Sequence, residues 1–490
     1  MSAGSATTVN NPPQQQPTSN SKLQVEDLEN YGYKSAFKTW RNLKPPVKLE
    51  ERILSFLSFY PPNKSKNSFK KAQILDVPID ENFNQLTGKQ GKNNYIHEFY
   101  IENTLPRIQS DKAEMNGEDV VMVHGYGAAL GLFLFNFEQL SNLPGIKLHA
   151  LDLLGFGLSS RPPFPKKENS RSWYTFWNSG KGKGKEDSLQ QGSILPTMKD
   201  VDNAESFFID SLEAWRRERN VNKFILVGHS LGGYLSCCYA LKYPQHVSKL
   251  VLISPVGVET SMFDLTRNDN NNNSNSKTVK ILGPDVKQEI DIDTDKPANT
   301  DKIAQGGENT RASSSFHVPD SNGHVEKIPN VPKVLDFIWK QEISPFTLLR
   351  CMGPIGPLVS GRWSFRRFDH LGDPDKVMAM HEYTYGTFRL NGSGEYALTR
   401  LLGPGALAYH PLLSRVPGKI QCPSLWIYGD HDWMSKEAGE IIVNKINASP
   451  QNSDSDNTRA EFKIVKNAGH HVYLDNPTDF DSLLSTFLGY

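Results

Sequence analysis

Residues 224–241, FILVGHSLGGYLSCCYAL, carry the strongest signal of the fold. The stretch joins an apolar run at residues 224–227, a turn of sequence GHSLG centred on Ser230, and a run compatible with a helix at residues 233–241. A G-x-S-x-G turn between a strand and a helix is a nucleophile elbow, in which the serine occupies a tight, strained bend. The flanking glycines remove side chains that would clash there. The stretch therefore predicts a nucleophilic serine at the end of a strand.

The rest of the chain repeats the alternation of strand and helix. Short apolar runs bounded by turn residues occur at residues 119–123, 148–151, 250–253, 425–428 and 462–465. Residues 203–219 carry apolar side chains at helical spacing. Apolar runs of this kind suit parallel strands that are covered on both faces. The pattern predicts an α/β fold with a doubly wound, mostly parallel sheet, whose ligands bind at the carboxyl ends of the strands.

A serine hydroxyl needs a base, and the base needs an acid that orients it. In an elbow fold the chain order is serine, acid, histidine. The motif GDHD follows the run at 425–428 and supplies Asp432 as the predicted acid, with Asp430 as the alternative. The motif GHH follows the last run and supplies His470 as the predicted base, with His471 as the alternative.

The predicted reaction also needs hydrogen-bond donors for an oxyanion. The motif HGYG, residues 124–127, follows the run at 119–123. We expect the main-chain amides of Tyr126 and Leu231 to form the oxyanion hole.

Composition limits the classes of function. The 490 residues include 54 Lys and Arg and 54 Asp and Glu, so the formal net charge of zero argues against nucleic acid as the main partner. Four cysteines in so long a chain do not indicate a disulfide framework. No apolar run reaches the length of a spanning helix.

Polar, low-complexity stretches predict disorder. The predicted division is a disordered tail at 1–21, an amphipathic segment at 22–70, the first part of the core at 71–263, a disordered insertion at 264–330, a cap or lid at 331–400 and the last part of the core at 401–490.

The ordered motifs resemble the α/β-hydrolase superfamily: HGYG, LDLLGFGLSSRP, VGHSLGG, GDHDWM and NAGHHVYLDNP. The phrases WRNLKPPVKLEERILSF and ISPFTLLRCMGPIGP are most similar to the branch that contains the fungal cardiolipin deacylase, the fungal lysophosphatidate acyltransferase and the animal coactivator of adipose lipase. The resemblance implies a triad of Ser230, Asp432 and His470. It also implies an H-x4-D acyltransferase motif formed by His470 and Asp475, although Asp475 alternatively caps a helix.

Two segments predict contact with lipid. Residues 343–369 are rich in apolar residues and contain Arg362, Arg366 and Arg367, which suit an anionic headgroup, although solvated arginines on a helical lid give the same pattern. Residues 47–60 carry a helical stripe that fits either a membrane interface or the protein core. The members of the stripe are Leu49, Ile53, Leu54, Leu57 and Tyr60.

The leading hypothesis is a serine-dependent acyl hydrolase or acyltransferase that acts on glycerophospholipids, as a phospholipase or cardiolipin deacylase, or as a lysophosphatidic acid acyltransferase with acyl-CoA as donor. The alternatives are a non-catalytic lipase coactivator that binds lipid and a soluble carboxylesterase of the same fold. We predict neither a metal nor a cofactor. The resemblance favours peripheral attachment to an intracellular membrane, with the mitochondrion first and the lipid droplet, endoplasmic reticulum or cytosol as alternatives.

Overall fold

A sheet of eight strands lies at the centre of the chain in the computed structural model. The structure describes residues 28, 30–62, 69–87, 93–109, 112–115, 117–165, 196–267, 318–326, 339, 341–449 and 459–490. The predicted disordered tail lies outside these residues, as do residues 268–317 and 327–330 of the predicted insertion. The predicted domain boundaries therefore stay predictions.

The strands are β1 Lys70–Pro78, β2 Tyr95–Asn103, β3 Arg107–Gln109, β4 Lys112–Met115, β5 Asp119–Val123, β6 Lys147–Leu151, β7 Phe224–His229, β8 Val247–Ile253, β9 Thr260–Ser261, β10 His324–Val325, β11 Ser424–Gly429 and β12 Ala460–Val465. The strand order in the large sheet is β1-β2-β6-β5-β7-β8-β11-β12. Strand β2 runs antiparallel to both of its neighbours. The other six strands of the sheet, β6, β5, β7, β8, β11 and β12, pair in parallel. This order confirms the predicted doubly wound, mostly parallel α/β sheet.

Helices cover both faces of the sheet and bury two apolar clusters. The α-helices are α1 Tyr33–Asn42, α2 Pro46–Leu54, α3 Asp80–Thr87, α4 Leu134–Leu140, α5 Met198–Glu218, α6 Leu231–Lys242, α7 Pro345–Cys351, α8 Gly356–Phe368, α9 Pro374–Phe388, α10 Leu398–Leu401, α11 Lys436–Asn447, α12 Val472–Asp475 and α13 Pro477–Leu488. One cluster includes side chains of α5, α6 and α11, and the other includes side chains of α2, α4, α9, α12 and α13.

The stripe that we predicted as a possible membrane interface belongs to the core. Leu49 is 2% exposed, and Ile53 and Leu54 are fully buried. Helix α2 packs against α9 of the cap region. Glu50 of the same helix is fully buried, and its carboxylate lies 2.7 Å from Nε2 of His97 in β2. The apolar stripe of α2 is therefore unavailable to a membrane, because it contacts protein.

Candidate active site

Ser230 lies on the bend between β7 and α6. Its φ of 52° and ψ of −115° are strained for a residue with a side chain, as an elbow requires. A Cβ on Gly228 would lie 2.3 Å from Ser236 Oγ, and one on Gly232 would lie 2.4 Å from the main-chain oxygen of His124. The two glycines of the motif therefore allow the bend to pack closely against its neighbours.

The three side chains predicted to form a triad lie in hydrogen-bond contact. His470 Nε2 is 3.0 Å from Ser230 Oγ, and His470 Nδ1 is 3.1 Å from Asp432 Oδ1. Asp432 is fully buried, and the Met434 N–H donates to the same Oδ1 at 3.0 Å. With Nδ1–H donating to the carboxylate, Nε2 is left to accept the serine proton. The three residues follow β7, β11 and β12, so the carboxyl edge of the sheet brings them together.

The alternative acid and base occupy other positions. Asp430 Oδ1 accepts a hydrogen bond from the Ala468 N–H at 3.0 Å and so holds the loop that precedes the histidines. The ring of His471 lies against His229, with centroids 4.9 Å apart. Burial lowers the pKa of His471 well below its usual value, so this imidazole is neutral. The geometry favours Asp432 and His470.

The HGYG loop lies directly beside the elbow. A Cβ on Gly125 would be 2.9 Å from Ser230 Cβ. His124 fixes this loop, because its Nδ1 is 2.7 Å from the Gly125 carbonyl oxygen and its Nε2 accepts from the Leu153 N–H at 3.1 Å. Burial lowers the pKa of His124 to about 4, consistent with a neutral ring that donates at one nitrogen and accepts at the other.

The predicted cap region, residues 331–400, touches the same loop. The ring of Tyr126 stacks on Phe346 of α7 with centroids 5.5 Å apart. Leu231 begins α6, where the first amides of a helix lack intrahelical acceptors. A cavity lined in part by Gly127 and by Phe346 and Phe388 of the cap has a volume of about 10 Å³, room for one water at most. The cap therefore lies closely over the predicted oxyanion loop.

Asp475 and Arg367 form an ion pair that the sequence did not predict. Arg367 Nη1 donates to Asp475 Oδ1 at 2.5 Å, and the Gly469 N–H donates to Asp475 Oδ2 at 2.9 Å. The Arg367 side chain is 7% exposed and that of Asp475 is 20% exposed. Asp475 thus joins cap helix α8 to the residue that precedes His470. Arg367 is engaged inside the protein, which does not fit its prediction as a headgroup ligand, whereas Arg362 and Arg366 are exposed on α8.

Sequence reasoning also missed two contacts of the predicted base. His229 Nε2–H donates to the main-chain oxygen of His470 at 3.0 Å, and burial lowers the pKa of His229 well below its usual value. The ring of Trp433 lies 4.8 Å from that of His470. Periodicity carries no signal for such contacts, because loops from different strands make them.

Within the described ranges, two groups of three side chains each bring together atoms that could bind a metal ion. Side chains in both groups are already engaged by other partners. In the buried group of Glu50, His97 and Asp152, Asp152 accepts from the Leu130 N–H at 2.7 Å and the Leu158 N–H at 2.6 Å. His97 Nε2 lies within hydrogen-bond distance of Glu50 Oε1, at 2.7 Å.

The second group contains Asp202, Glu205 and His410. Arg415 contacts Glu205 at 2.8 Å and His410 at 2.5 Å. A guanidinium at this distance disfavours a metal ion, so neither group suggests a metal centre.

Comparison with known proteins gives relatives that act on lipids. The family defined by the alpha/beta hydrolase fold matches residues 120–288. A 1-acylglycerol-3-phosphate O-acyltransferase of Arabidopsis thaliana is 28% identical over 375 residues, 76% of this chain and 66% of its own length. The 1-acylglycerol-3-phosphate O-acyltransferase ICT1 of Saccharomyces cerevisiae is 29% identical over 379 residues, 75% of this chain and 81% of its own. A (lyso)-N-acylphosphatidylethanolamine lipase of Bos taurus is 28% identical over 369 residues, 74% of this chain and 77% of its own.

Among solved structures, the carboxylesterase CesB of Bacillus subtilis has a TM-score of 0.45 and 12% identity, covering 93% of this chain and 98% of that one. Within the described residues, no helix combines the length and the apolar character needed to cross a membrane. The family match, the sheet order and the named relatives agree with the predicted resemblance. The chain has the α/β-hydrolase fold, and its sequence is similar to the branch that includes 1-acylglycerol-3-phosphate O-acyltransferases and (lyso)-N-acylphosphatidylethanolamine lipases.

Proposed function

We propose that this protein is a serine-dependent acyl enzyme that acts on glycerophospholipids. The observation that carries the proposal is the contact of His470 Nε2 with Ser230 Oγ at 3.0 Å, with Asp432 behind the same imidazole at 3.1 Å. This arrangement supports nucleophilic catalysis, because it gives the hydroxyl both a base and an orienting acid. The names of the relatives support a lipid ester or amide as the substrate.

The proposed acylation step uses these contacts. Ser230 Oγ attacks the carbonyl carbon of the acyl donor while His470 Nε2 takes the hydroxyl proton. The amides of Tyr126 and Leu231 stabilise the oxyanion of the tetrahedral intermediate. The intermediate collapses as the bond to the leaving group breaks, and His470 returns the proton to that leaving group. The product is an acyl ester on Ser230, and Asp432 stabilises the imidazolium throughout.

The second step decides between hydrolysis and transfer. His470 removes a proton from water in a lipase or a cardiolipin deacylase, or from the hydroxyl of a lysophospholipid in an acyltransferase that uses acyl-CoA. The oxygen of the water or of the lysophospholipid attacks the acyl carbon, the bond between that carbon and Ser230 Oγ breaks, and His470 returns the proton to Ser230 Oγ. Asp475 is bonded to Arg367 and to the Gly469 N–H, which supports a role in holding the histidine loop rather than in binding the acceptor.

Product analysis of the purified protein tests the function. We expect labelled acyl groups to move from acyl-CoA to lysophosphatidic acid, or labelled fatty acid to leave cardiolipin, and one of the two to dominate. Ser230→Ala and His470→Ala are expected to lower the rate about 10⁶-fold, and Asp432→Asn about 10⁴-fold. Folded Ser230→Ala protein with full activity would exclude the serine mechanism and favour a non-catalytic coactivator with a contaminating enzyme.

The mitochondrial location stays a prediction, which cell fractionation tests.

A further inference from the structure

Phe346 of helix α7 places its ring directly on the predicted oxyanion loop. A Cβ on Gly127 would lie 2.6 Å from Phe346 Cζ, so the ring comes this close because position 127 is a glycine. The ring also packs on Phe388 of α9, with centroids 4.6 Å apart. Gly125 of the same loop lies against Ser230, where an added Cβ would be 2.9 Å from the serine Cβ. One loop therefore contacts both Phe346 and the candidate nucleophile.

Aromatic rings form much of the wall of the cavity beside Phe346. The volume of this cavity is about 10 Å³, and Phe156, Phe388, Gly127 and Ala128 line it together with Phe346. Phe156 is 5% exposed, whereas Phe346 and Phe388 are half-buried. Displacing the ring of Phe346 therefore costs less burial than displacing that of Phe156 would.

The polar side chains that line the same cavity have partners inside the protein. Glu395 accepts from Arg350 at 2.6 Å, and Thr387 Oγ1 donates to the carbonyl oxygen of Thr384 at 2.9 Å. Arg161 donates through Nη1 and Nη2 to three main-chain carbonyl oxygens at 2.9 Å. The Arg161 Nε–H has no partner among the described residues, but a single N–H is a poor site for a phosphate, which arginine frequently binds through two. The cavity therefore suits an apolar group better than a charged headgroup.

The position of the cavity fits the acyl part of a substrate. In the proposed reaction the Tyr126 N–H binds the oxyanion on the carbonyl carbon, and Gly127 is the next residue of the loop. The two groups attached to that carbon, the acyl chain and the leaving group, extend from this point. The acyl chain is the apolar one of the two, so it matches the aromatic wall.

We propose that an acyl-chain subsite lies between α7 and α9 over the oxyanion loop, and that Phe346 limits access to it. A chain of two carbons leaves the ring of Phe346 in place. A longer chain displaces the ring from Gly127 and then lies against Phe156 and Phe388. The proposal rests on the proposed function, because it assigns one part of the same substrate to a place in the site, but binding of a chain itself needs no catalysis.

Binding of fatty acids tests the subsite in the full chain with Ser230→Ala, so that failure of the proposed catalysis does not affect the result. Calorimetric titration compares acetate with dodecanoate below its micellar concentration. Displacing a half-buried phenylalanine ring costs about tenfold in affinity. Adding Phe346→Ala removes this cost, so we expect it to bind dodecanoate about tenfold more tightly and acetate no more tightly. Phe346→Leu is expected to give a smaller gain in the same direction, and thermal melts verify that each variant is folded.

Leu348→Ala is the matched control, because Leu348 lies on the same helix and is 41% exposed. It is expected to bind dodecanoate like the parent. Equal affinity of the parent, Phe346→Ala and Phe346→Leu for dodecanoate would overturn the proposal, as would an equal gain in Leu348→Ala. Phe346→Ala protein that binds glycerol 3-phosphate more tightly, and dodecanoate no more tightly, would also overturn it, since the space would then belong to the headgroup.

Discussion

The ion pair between Arg367 and Asp475 gives the sharpest prediction about the role of the H-x4-D motif. Asp475 binds the cap through Arg367 at 2.5 Å and the histidine loop through the Gly469 N–H at 2.9 Å. Asp475→Asn and Arg367→Gln should therefore both displace the loop that carries His470. A displacement of 1 Å costs about 100-fold in rate. We expect hydrolysis and acyl transfer to fall together, by about this factor.

The same pair should contribute measurably to stability. Removing one partner of a buried ion pair costs about 3–5 kcal/mol of unfolding free energy, because the other charge is left uncompensated. The 20% exposure of Asp475 places the expected cost near the lower limit. The double variant leaves neither charge unpaired, so we expect it to be destabilised by less than the sum of the single variants. Urea denaturation measures the unfolding free energy of the two single variants and of the double variant.

A control on the same helix separates this role from a general effect of lost charge. Arg362→Gln removes an exposed arginine of α8. It should leave both the stability and the rate on a water-soluble ester unchanged. The reasoning is refuted if Asp475→Asn abolishes acyl transfer, leaves hydrolysis intact and shows no coupling to Arg367→Gln. That result would instead make Asp475 a residue that serves the acceptor.

Three further predictions concern stability and the elbow. Burial raises the pKa of Asp481 to about 8, so the folded state keeps a proton that the unfolded chain loses near pH 4. Stability should fall as the pH rises through this window, and Asp481→Asn should melt higher than the wild type at pH 8 but not at pH 4. Glu50→Gln should lower the unfolding free energy by about 3 kcal/mol in urea, because it removes the charge of a buried carboxylate that lies 2.7 Å from His97; an unchanged midpoint would show that this charge is dispensable. Gly232→Ala should lower the rate at least about 100-fold, because its Cβ would meet main-chain oxygens at 2.4 and 2.7 Å, whereas Gly32→Ala, with 3.7 Å to its nearest neighbour, should be fully active in the same assay.

The central strands and the proximity of Ser230, Asp432 and His470 followed from the sequence because local signals decide them. Strand β5 begins and ends where its apolar run does, at Asp119 and Val123. Strands β1 and β2 carry polar residues between apolar ones, as antiparallel strands near an edge do, and no continuous apolar run marks them.

Two contacts of the structure could not be predicted from the sequence, for a different physical reason. The stripe of Leu49, Ile53 and Leu54 has the same periodicity whether its partner is lipid or protein, and only the contact with α9 shows that it is protein. The pairing of Arg367 with Asp475 spans 108 positions of the chain. It depends on where the cap helix lies, which neither residue type nor spacing determines.

Labelling with a fluorophosphonate probe tests the central claim most directly, because the probe reacts only with a serine whose hydroxyl is activated. The account predicts that the folded wild-type protein carries the label on Ser230, found by mass spectrometry of its peptide. It also predicts that His470→Ala is labelled far more slowly and that Ser230→Ala is not labelled. Folded wild-type protein without label, or label that persists in Ser230→Ala, would contradict the claim that Ser230 is the nucleophile.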